Sequence, residues 1–244
     1  MKKSSITKII FLITFLIVST FSIKYVISGN INTSEKQQTN IVRNGSKHQK
    51  FIALTFDDGP HPQYTPEILD LLDKYNIKAT FFVLGQFAEQ YPDIIKRQAK
   101  EGHEIGNHTY SHINIQQVPK QKVKEEFDKT QDIIFSLTGI KSKTFRPPYG
   151  SYDDNIIKII SDESCNVILW SYTQDSRDWS NPEVEKIVSN TISNIENGDI
   201  VLLHDYVYFE TSNTVEALKI IIPELIDKGY KFVTISQLLE LSIK

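Results

Sequence analysis

The sequence predicts an α/β fold, a distorted and incomplete (β/α) barrel of about seven strands. Three observations carry that reading. From Phe51 onward, short apolar β-prone runs alternate with longer stretches of helical periodicity. The alternation gives seven units where a regular barrel has eight. Polar clusters follow runs one, three, four, five and six, so they gather at the carboxyl ends of the strands, the rim where barrels build their sites.

The first strand is Phe51–Phe56, closed by the Gly59-Pro60 turn. Pro66 to Tyr75 follows as a helix, with Ile68, Leu71, Leu72 and Tyr75 at helical spacing. Ala79–Leu84 is the second strand, and Pro92 to Lys100 a helix with Pro92 suited to its first turn. Glu104–Gly106 is a short third strand. Pro119 to Thr138 is a long amphipathic helix, with Val123, Phe127, Thr130, Ile134 and Leu137 on one stripe and Gly139 as its stop. Thr144–Arg146 is the fourth strand, and Asp153 caps a helix to Ser161. Val167–Ser171 is the fifth strand, and Asn181-Pro182 opens a helix through Asn197. Asp199–His204 is the sixth strand. Asn213 to Lys228 is a helix that Pro223 is expected to kink. Phe232–Ile235 is the seventh strand, and Ser236 to Leu241 the last helix.

The chain has 244 residues, 40% hydrophobic and 23% charged, with a net charge of −3. That suits one buried domain plus a tail. Residues 1–28 carry Lys2, Lys3, Lys8 and Lys24 and no acid; the rest holds 23 basic against 30 acidic side chains. Nothing in this balance argues for nucleic-acid binding, which wants a basic face. Lys2, Lys3 and Lys8 followed by the apolar run Ile9–Ile23 read as an export segment. No Ala-x-Ala-like cleavage site precedes Asn30, so a cleaved signal and a membrane anchor through residues 9–28 both stand. Either puts the domain outside the cytoplasm, in the envelope or beyond it. Residues 29–50 are polar and read as a disordered linker ahead of a domain at 51–244. A monomer is assumed. The one cysteine, Cys165, precedes a strand and reads as a buried structural thiol; His48, in the linker, is given no role.

Five clusters could carry chemistry. Asp57 and Asp58 end the first strand; neighbours on a strand point to opposite faces, so the two carboxylates are expected to do different jobs. His108 and His112, at i and i+4, would share one face of a helical turn and could share a metal. Two His plus one carboxylate, from Asp57 or Asp58, make a common catalytic zinc set. In Arg146-Pro-Pro-Tyr-Gly150, two prolines stiffen a loop that could aim Arg146 inward and hold the Tyr149 backbone N–H toward an oxyanion. Asp175-Ser-Arg-Asp-Trp179 offers a carboxylate that could orient a His, beside an aromatic wall. Leu202-Leu-His204 ends the sixth strand with a His suited to proton donation near neutral pH.

In this order, TFDDGP at 55–60, HTYSH at 108–112, RPPYG at 146–150, DSRDW at 175–179 and LLH at 202–204 closely resemble the motifs of the polysaccharide deacetylase (NodB-homology) family, the fourth carbohydrate esterase family. No motif position is substituted. The resemblance implies an irregular barrel of about seven strands. It implies Asp57 as general base, and Asp58, His108 and His112 as ligands of a divalent metal, zinc first with cobalt or manganese as substitutes. Arg146 would position Asp57, and Tyr149 would offer its backbone N–H to the oxyanion. Asp175 would orient His204, the general acid, while Trp179 and Leu202 would shape the acetyl pocket. His61 would touch substrate, and His103 reads as structural. The implied partner is an N-acetylated envelope polysaccharide: peptidoglycan N-acetylglucosamine first, chitin-like oligomers second. Two alternatives stay open: an O-acetyl (xylan-type) esterase on the same site, and a wall-binding module without turnover.

Overall fold

The structure, a computed structural model, describes residues 41–243. The export segment at 1–28 and residues 29–40 of the expected linker lie outside the described residues. Eight strands are present among them: β1 (Ile41–Val42), β2 (Phe51–Asp57), β3 (Thr80–Val83), β4 (Glu104–Asn107), β5 (Thr144–Phe145), β6 (Asn166–Ile168), β7 (Ile200–His204) and β8 (Lys231–Phe232). The helices are α1 (Tyr64–Lys74), α2 (Gly85–Gln90), α3 (Pro92–Lys100), α4 (Lys120–Thr138), α5 (Asp154–Asp162), α6 (Val184–Ile192), α7 (Thr214–Asp227) and α8 (Ile235–Ile243). The first six expected strands form; the seventh, expected at Phe232–Ile235, is shortened and shifted to Lys231–Phe232 because Ile235 opens α8, and every strand pair is parallel. The order across the sheet is β1-β6-β5-β4-β3-β2-β7, with β8 beside the start of β2.

Local signals explain most element ends. Pro92 occupies the first turn of α3. Gly139 closes α4 at φ 74°, a conformation an L side chain adopts at a cost. The Asp153 carboxylate caps α5, accepting from the N–H groups of Asn155 and Ile156 at 2.9 Å. Helix α2 was not expected, because six residues are too few to show a period. Residues 41–50 also depart from the expected linker. β1 pairs with β6, and the Gly45 N–H donates to the Gly198 carbonyl at 2.7 Å, so the domain begins before Phe51. A two-residue strand inside a polar stretch leaves no periodic trace.

The strand period sorts the side chains that matter. On β2, Ile52, Leu54 and Phe56 face the helices, and Phe56 stacks on Phe81 at 5.0 Å. Ala53, Thr55 and Asp57 alternate with them and face the barrel interior. The register then sets Asp57 beside Phe82 of β3 on one side and His204 of β7 on the other. Phe82 in turn pairs with Gly106 of β4, where a Cβ would lie 2.3 Å from the Phe82 ring. Glycine is required there for the ring to fit.

The barrel does not close by a ladder. The chain leaving β6 crosses to β7 as an irregular segment. Ser171 N–H donates to Ile200 O at 3.0 Å, Leu202 N–H to Gln174 O at 2.9 Å, and Ser176 N–H to Leu202 O at 3.3 Å. That seam is the distortion that the missing eighth unit implied. Cys165 is buried, its thiol 3.0 Å from the Ser142 carbonyl, and burial pushes it up to about 12, so it is inert.

Candidate active site

At the carboxyl ends of the strands lies a cleft of about 690 Å³. Nine of the ten site residues expected from sequence line it: Asp57, Asp58, His108, His112, Tyr149, Asp175, Trp179, Leu202 and His204. Arg146 lies beneath it, fully buried.

Asp57 and Asp58 diverge because the strand ends between them. Asp57 keeps the inward direction of β2, while Asp58 turns into the left-handed region at φ 73°. The Arg146 Nη1 donates to Asp57 Oδ1 at 2.7 Å and to Thr55 Oγ1 at 2.8 Å. Its guanidinium lies over the Phe82 ring at 4.1 Å. A buried Arg is tolerated here because the carboxylate pairs it and the ring covers it.

His108 and His112 do not lie on a helical turn, as the i, i+4 spacing suggested. They belong to a loop in which Thr109 has φ 69° and His112 φ 57°. Helix α4 holds that loop. The Asn107 side chain accepts from the Thr109 N–H at 2.9 Å and donates to the Phe127 carbonyl at 2.9 Å. Glu126 accepts from the N–H groups of Tyr110 and Ser111 at 3.0 and 2.8 Å. The spacing of the pair is therefore set by a pinned loop rather than by helix geometry.

Ligand atoms of Asp58, His108 and His112 all lie within 4.8 Å of one another. The donor chemistry fits a cation. His108 Nδ1 lies 2.6 Å from the Arg146 carbonyl, which can only accept, so Nδ1 carries a hydrogen. Nε2 then turns a lone pair toward Asp58 Oδ1 at 3.3 Å, with His112 Nε2 at 3.4 Å from the same oxygen. That buried oxygen has no hydrogen-bond partner among the described residues. Three acceptors facing one point need a shared positive charge, and two His with one carboxylate suit zinc. Burial would raise Asp58, but the His108 contact and the nearby rings bring it down to about 2, so it is ionised. Burial lowers His112 and favours the neutral ring that can ligate. The Tyr149 ring packs edge-on against His112 at 4.7 Å. Tyr149 itself takes φ 59°, a strained position for a non-glycine residue.

One expected pairing is wrong. Asp175 does not orient His204; its Oδ1 accepts from the Arg177 N–H at 2.9 Å in a local turn. Asp178 holds the His instead, its Oδ1 lying 2.8 Å from His204 Nδ1. Asp178 Oδ2 accepts from the His204 N–H and the Thr214 hydroxyl, both at 2.8 Å. Both carboxylates belong to one loop, and its turn carries Asp178 under His204. Burial pulls His204 down, but Asp178, with Asp58 and Asp57 beyond, outweighs it and pushes the ring up to about 9. The ring therefore holds a proton at neutral pH. Tyr208, 72% exposed, and Trp170 also line the cleft. The aromatic run Tyr206-Val-Tyr-Phe209 in a loop was the signal for Tyr208. His61 stacks on Tyr64 at 4.6 Å and does not line the cleft; His103 is buried, its Nδ1 accepting from Ala79 N–H at 3.2 Å.

A family model described as polysaccharide deacetylase matches residues 44–167. The chain belongs to the polysaccharide deacetylase family. Within it, the chain is 44% identical over 192 residues to a peptidoglycan-N-acetylglucosamine deacetylase of Bacillus cereus, covering 79% of this chain and 89% of that one. The crystal structure of the Bc1960 peptidoglycan N-acetylglucosamine deacetylase, in complex with 4-naphthalen-1-yl-N-oxidanyl-benzamide, is 38% identical. It superposes with a TM-score of 0.80 over 85% of this chain and 96% of that chain. A family 4 acetyl xylan esterase from Clostridium thermocellum, in complex with a cobalt ion, is 36% identical with a TM-score of 0.71, over 79% of this chain and 91% of its own. The family match ends at Val167, so the half of the cleft built by Asp178, Trp179, Leu202 and His204 lies beyond it.

Proposed function

We propose that this chain is a metal-dependent N-deacetylase that removes acetyl groups from N-acetylglucosamine in peptidoglycan, with chitin-like oligomers as the second substrate. The observation that carries this is the pairing, in one cleft, of a three-acceptor cation set with a carboxylate on one side and a protonated His on the other. Asp58, His108 and His112 would hold the ion, zinc first. When bound, it supplies a Lewis acid for the acetamide carbonyl and lowers the pKa of water to about 7.

The remaining work belongs to the chain. Asp57, fixed by Arg146, accepts the proton of the attacking water. The Tyr149 backbone N–H faces the oxygen on which charge develops. His204 donates a proton to the leaving nitrogen, without which an amine leaves poorly. Asp178 keeps that ring charged and oriented. Trp179, half exposed, and buried Leu202 bound the space for the acetyl methyl. Acetate and a free amino sugar result. Export through residues 1–28, cleaved or anchored, would bring the site to its polymer at the envelope.

The test is detection of new amines on acetylated glycans. They are expected to vanish with a chelator and return with zinc, and Asp57→Asn is expected to abolish turnover while retaining the ion. Equal zinc content in wild type and His108→Ala would refute the ligand set. The likeness to an acetyl xylan esterase favours a second reading, O-acetyl hydrolysis on the same site. Acetate released from acetyl-xylan without new amines on any amino sugar would select it. No product from either polymer would leave a glycan-binding role.

A further inference from the structure

Beside the catalytic cleft runs a second, polar cavity of about 410 Å³, and Asp175 lines both. Its walls are the seam after β6 and the outer face of α6. Two exposed cations project there, Arg177 and Lys186, and neither forms an ion pair among the described residues. Both side chains are open to solvent beside the cleft and free to meet an anionic partner. Asp175, the one carboxylate of the cavity, already accepts from the Arg177 backbone N–H. The walls are braced, because the Asn190 amide donates to the Ser176 carbonyl at 2.9 Å and ties α6 to the seam. Arg177 stands in the left-handed region at φ 58°, directly before Asp178. A non-glycine residue held there is a marker of a constrained site.

The groove continues. A neighbouring cavity of about 490 Å³ shares Tyr172, Thr173, Ser193 and Asn194 with the first. Tyr172 is 83% exposed, with the Arg43 guanidinium 4.5 Å from its ring centre. Hydroxyls, amides and an aromatic face flank the cations at the Asp175 end, while the far cavity carries Glu196, paired with Lys47, and Asp199, so the anion subsite is confined to the stretch from Asp175 to Tyr172. That chemistry suits an extended peptide bearing carboxylates, through charge-assisted hydrogen bonds and backbone amide contacts. A chain of N-acetylglucosamine alone is neutral and has nothing to offer Arg177 or Lys186. Peptidoglycan differs, because its muramyl units carry a lactyl group and a stem peptide with free carboxylates.

Resting on the deacetylase reading above, we infer that the groove from Asp175 to Tyr172 is a subsite for carboxylates of the muramyl-peptide unit next to the sugar being deacetylated, with Arg177 and Lys186 as its cations. It would make the chain selective for peptide-bearing glycan over chitin-like chains.

Binding reads this independently of turnover. The Kd of a peptide-bearing N-acetylglucosamine–N-acetylmuramic acid disaccharide is measured by calorimetry at low salt against chitotetraose. Arg177→Gln combined with Lys186→Gln is expected to weaken the peptide-bearing ligand about tenfold, a difference that shrinks as salt rises. Chitotetraose is expected to change less than about twofold, since it presents no charge. Lys186→Gln alone, on the solvent face of α6, is expected to give part of the effect without touching the seam. The same disaccharide with its stem-peptide carboxylates amidated is the control, because the lactyl carboxyl is itself an amide in the peptide-bearing unit: sensitivity lost on amidation supports the carboxylate subsite, and sensitivity kept overturns it. Equal weakening of both ligands, or of neither, overturns the inference. Wild-type amine release from the peptide-bearing disaccharide and from chitotetraose is measured in parallel; release from neither would refute the deacetylase reading and leave the binding comparison to decide this one.

Discussion

Asp178→Asn separates the two carboxylates of the DSRDW loop most sharply. Asp178 lies 2.8 Å from His204 Nδ1 and is the first charge that pushes the ring up to about 9. Asparagine keeps the shape but has one acceptor oxygen, enough for the ring or for Thr214 and the His204 N–H but not for both, and it removes the charge. Burial then acts with less opposition, and the ring falls toward its ordinary value of about 6.5 or lower. At pH 8 a ring with a pKa of about 9 is about 90% protonated, and one at about 6.5 is about 3% protonated. The acid form is thus depleted by about thirtyfold at pH 8, and at pH 6 by less than about twofold. The assay is kcat/KM for amine release from chitotetraose across pH 5 to 10, with circular dichroism to verify the fold. The alkaline limb is expected to move down by about 2 units or more. Asp175→Asn is expected to leave it in place. A limb unmoved in Asp178→Asn, or moved by Asp175→Asn instead, would refute the assignment of the carboxylate and with it His204 as the acid.

Three further outcomes follow from the packing. Arg146→Met strands the buried Asp57 carboxylate without its cation and is expected to cost about 3–5 kcal/mol, read from the urea midpoint; a loss under about 1 kcal/mol would mean that the pair is not held as described. Gly106→Ala drives a Cβ to 2.3 Å from the Phe82 ring and is expected to cost about 1–3 kcal/mol in thermal melts. It should also lower kcat, because Phe82 supports Arg146; unchanged stability and rate would count against the packing. Asp205 is buried, and burial first, then the Asp58 and Asp57 charges, push it up to about 7. The folded state therefore keeps a proton that the unfolded state has already released between about pH 4 and pH 7. Stability from this group is full below that interval and lost as pH rises through it. The melting temperature of Asp205→Asn relative to wild type is expected to climb over the same interval, and a flat difference would show that Asp205 is ionised in the fold.

The strands were legible because each is a short apolar run whose turn residues announce its end. Phe51–Asp57 is the clearest, and its two-residue alternation was enough to send Asp57 inward. Composition hid β1, since Ile41 and Val42 stand alone in a polar stretch and acquire strand geometry only from β6. Within the site, residue types were readable and their backbone was not. The His108–His112 spacing suits a helical turn, yet the loop shape comes from Asn107 and Glu126, the latter many residues distant on α4. Asp175 and Asp178 are three apart in one loop. Which of them meets His204 is fixed by left-handed turns at Arg177 and Asn181, and a spacing count cannot see those.

The stitched edge between β6 and β7 has a use beyond closing the wall. Leu202, which lines the cleft and is proposed to bound the acetyl space, is held from outside by Gln174 and Ser176, residues free of any regular ladder. The proposed cation ligands Asp58, His108 and His112 stand on other backbone, whereas Ser176 also bonds Asp178 and is best left in place. Remodelling Gln174 and Asp175 would therefore change the depth offered to the acyl tail while the Asp58, His108 and His112 triangle keeps its frame. Variants that accept propionyl or butyryl amides should be sought there first.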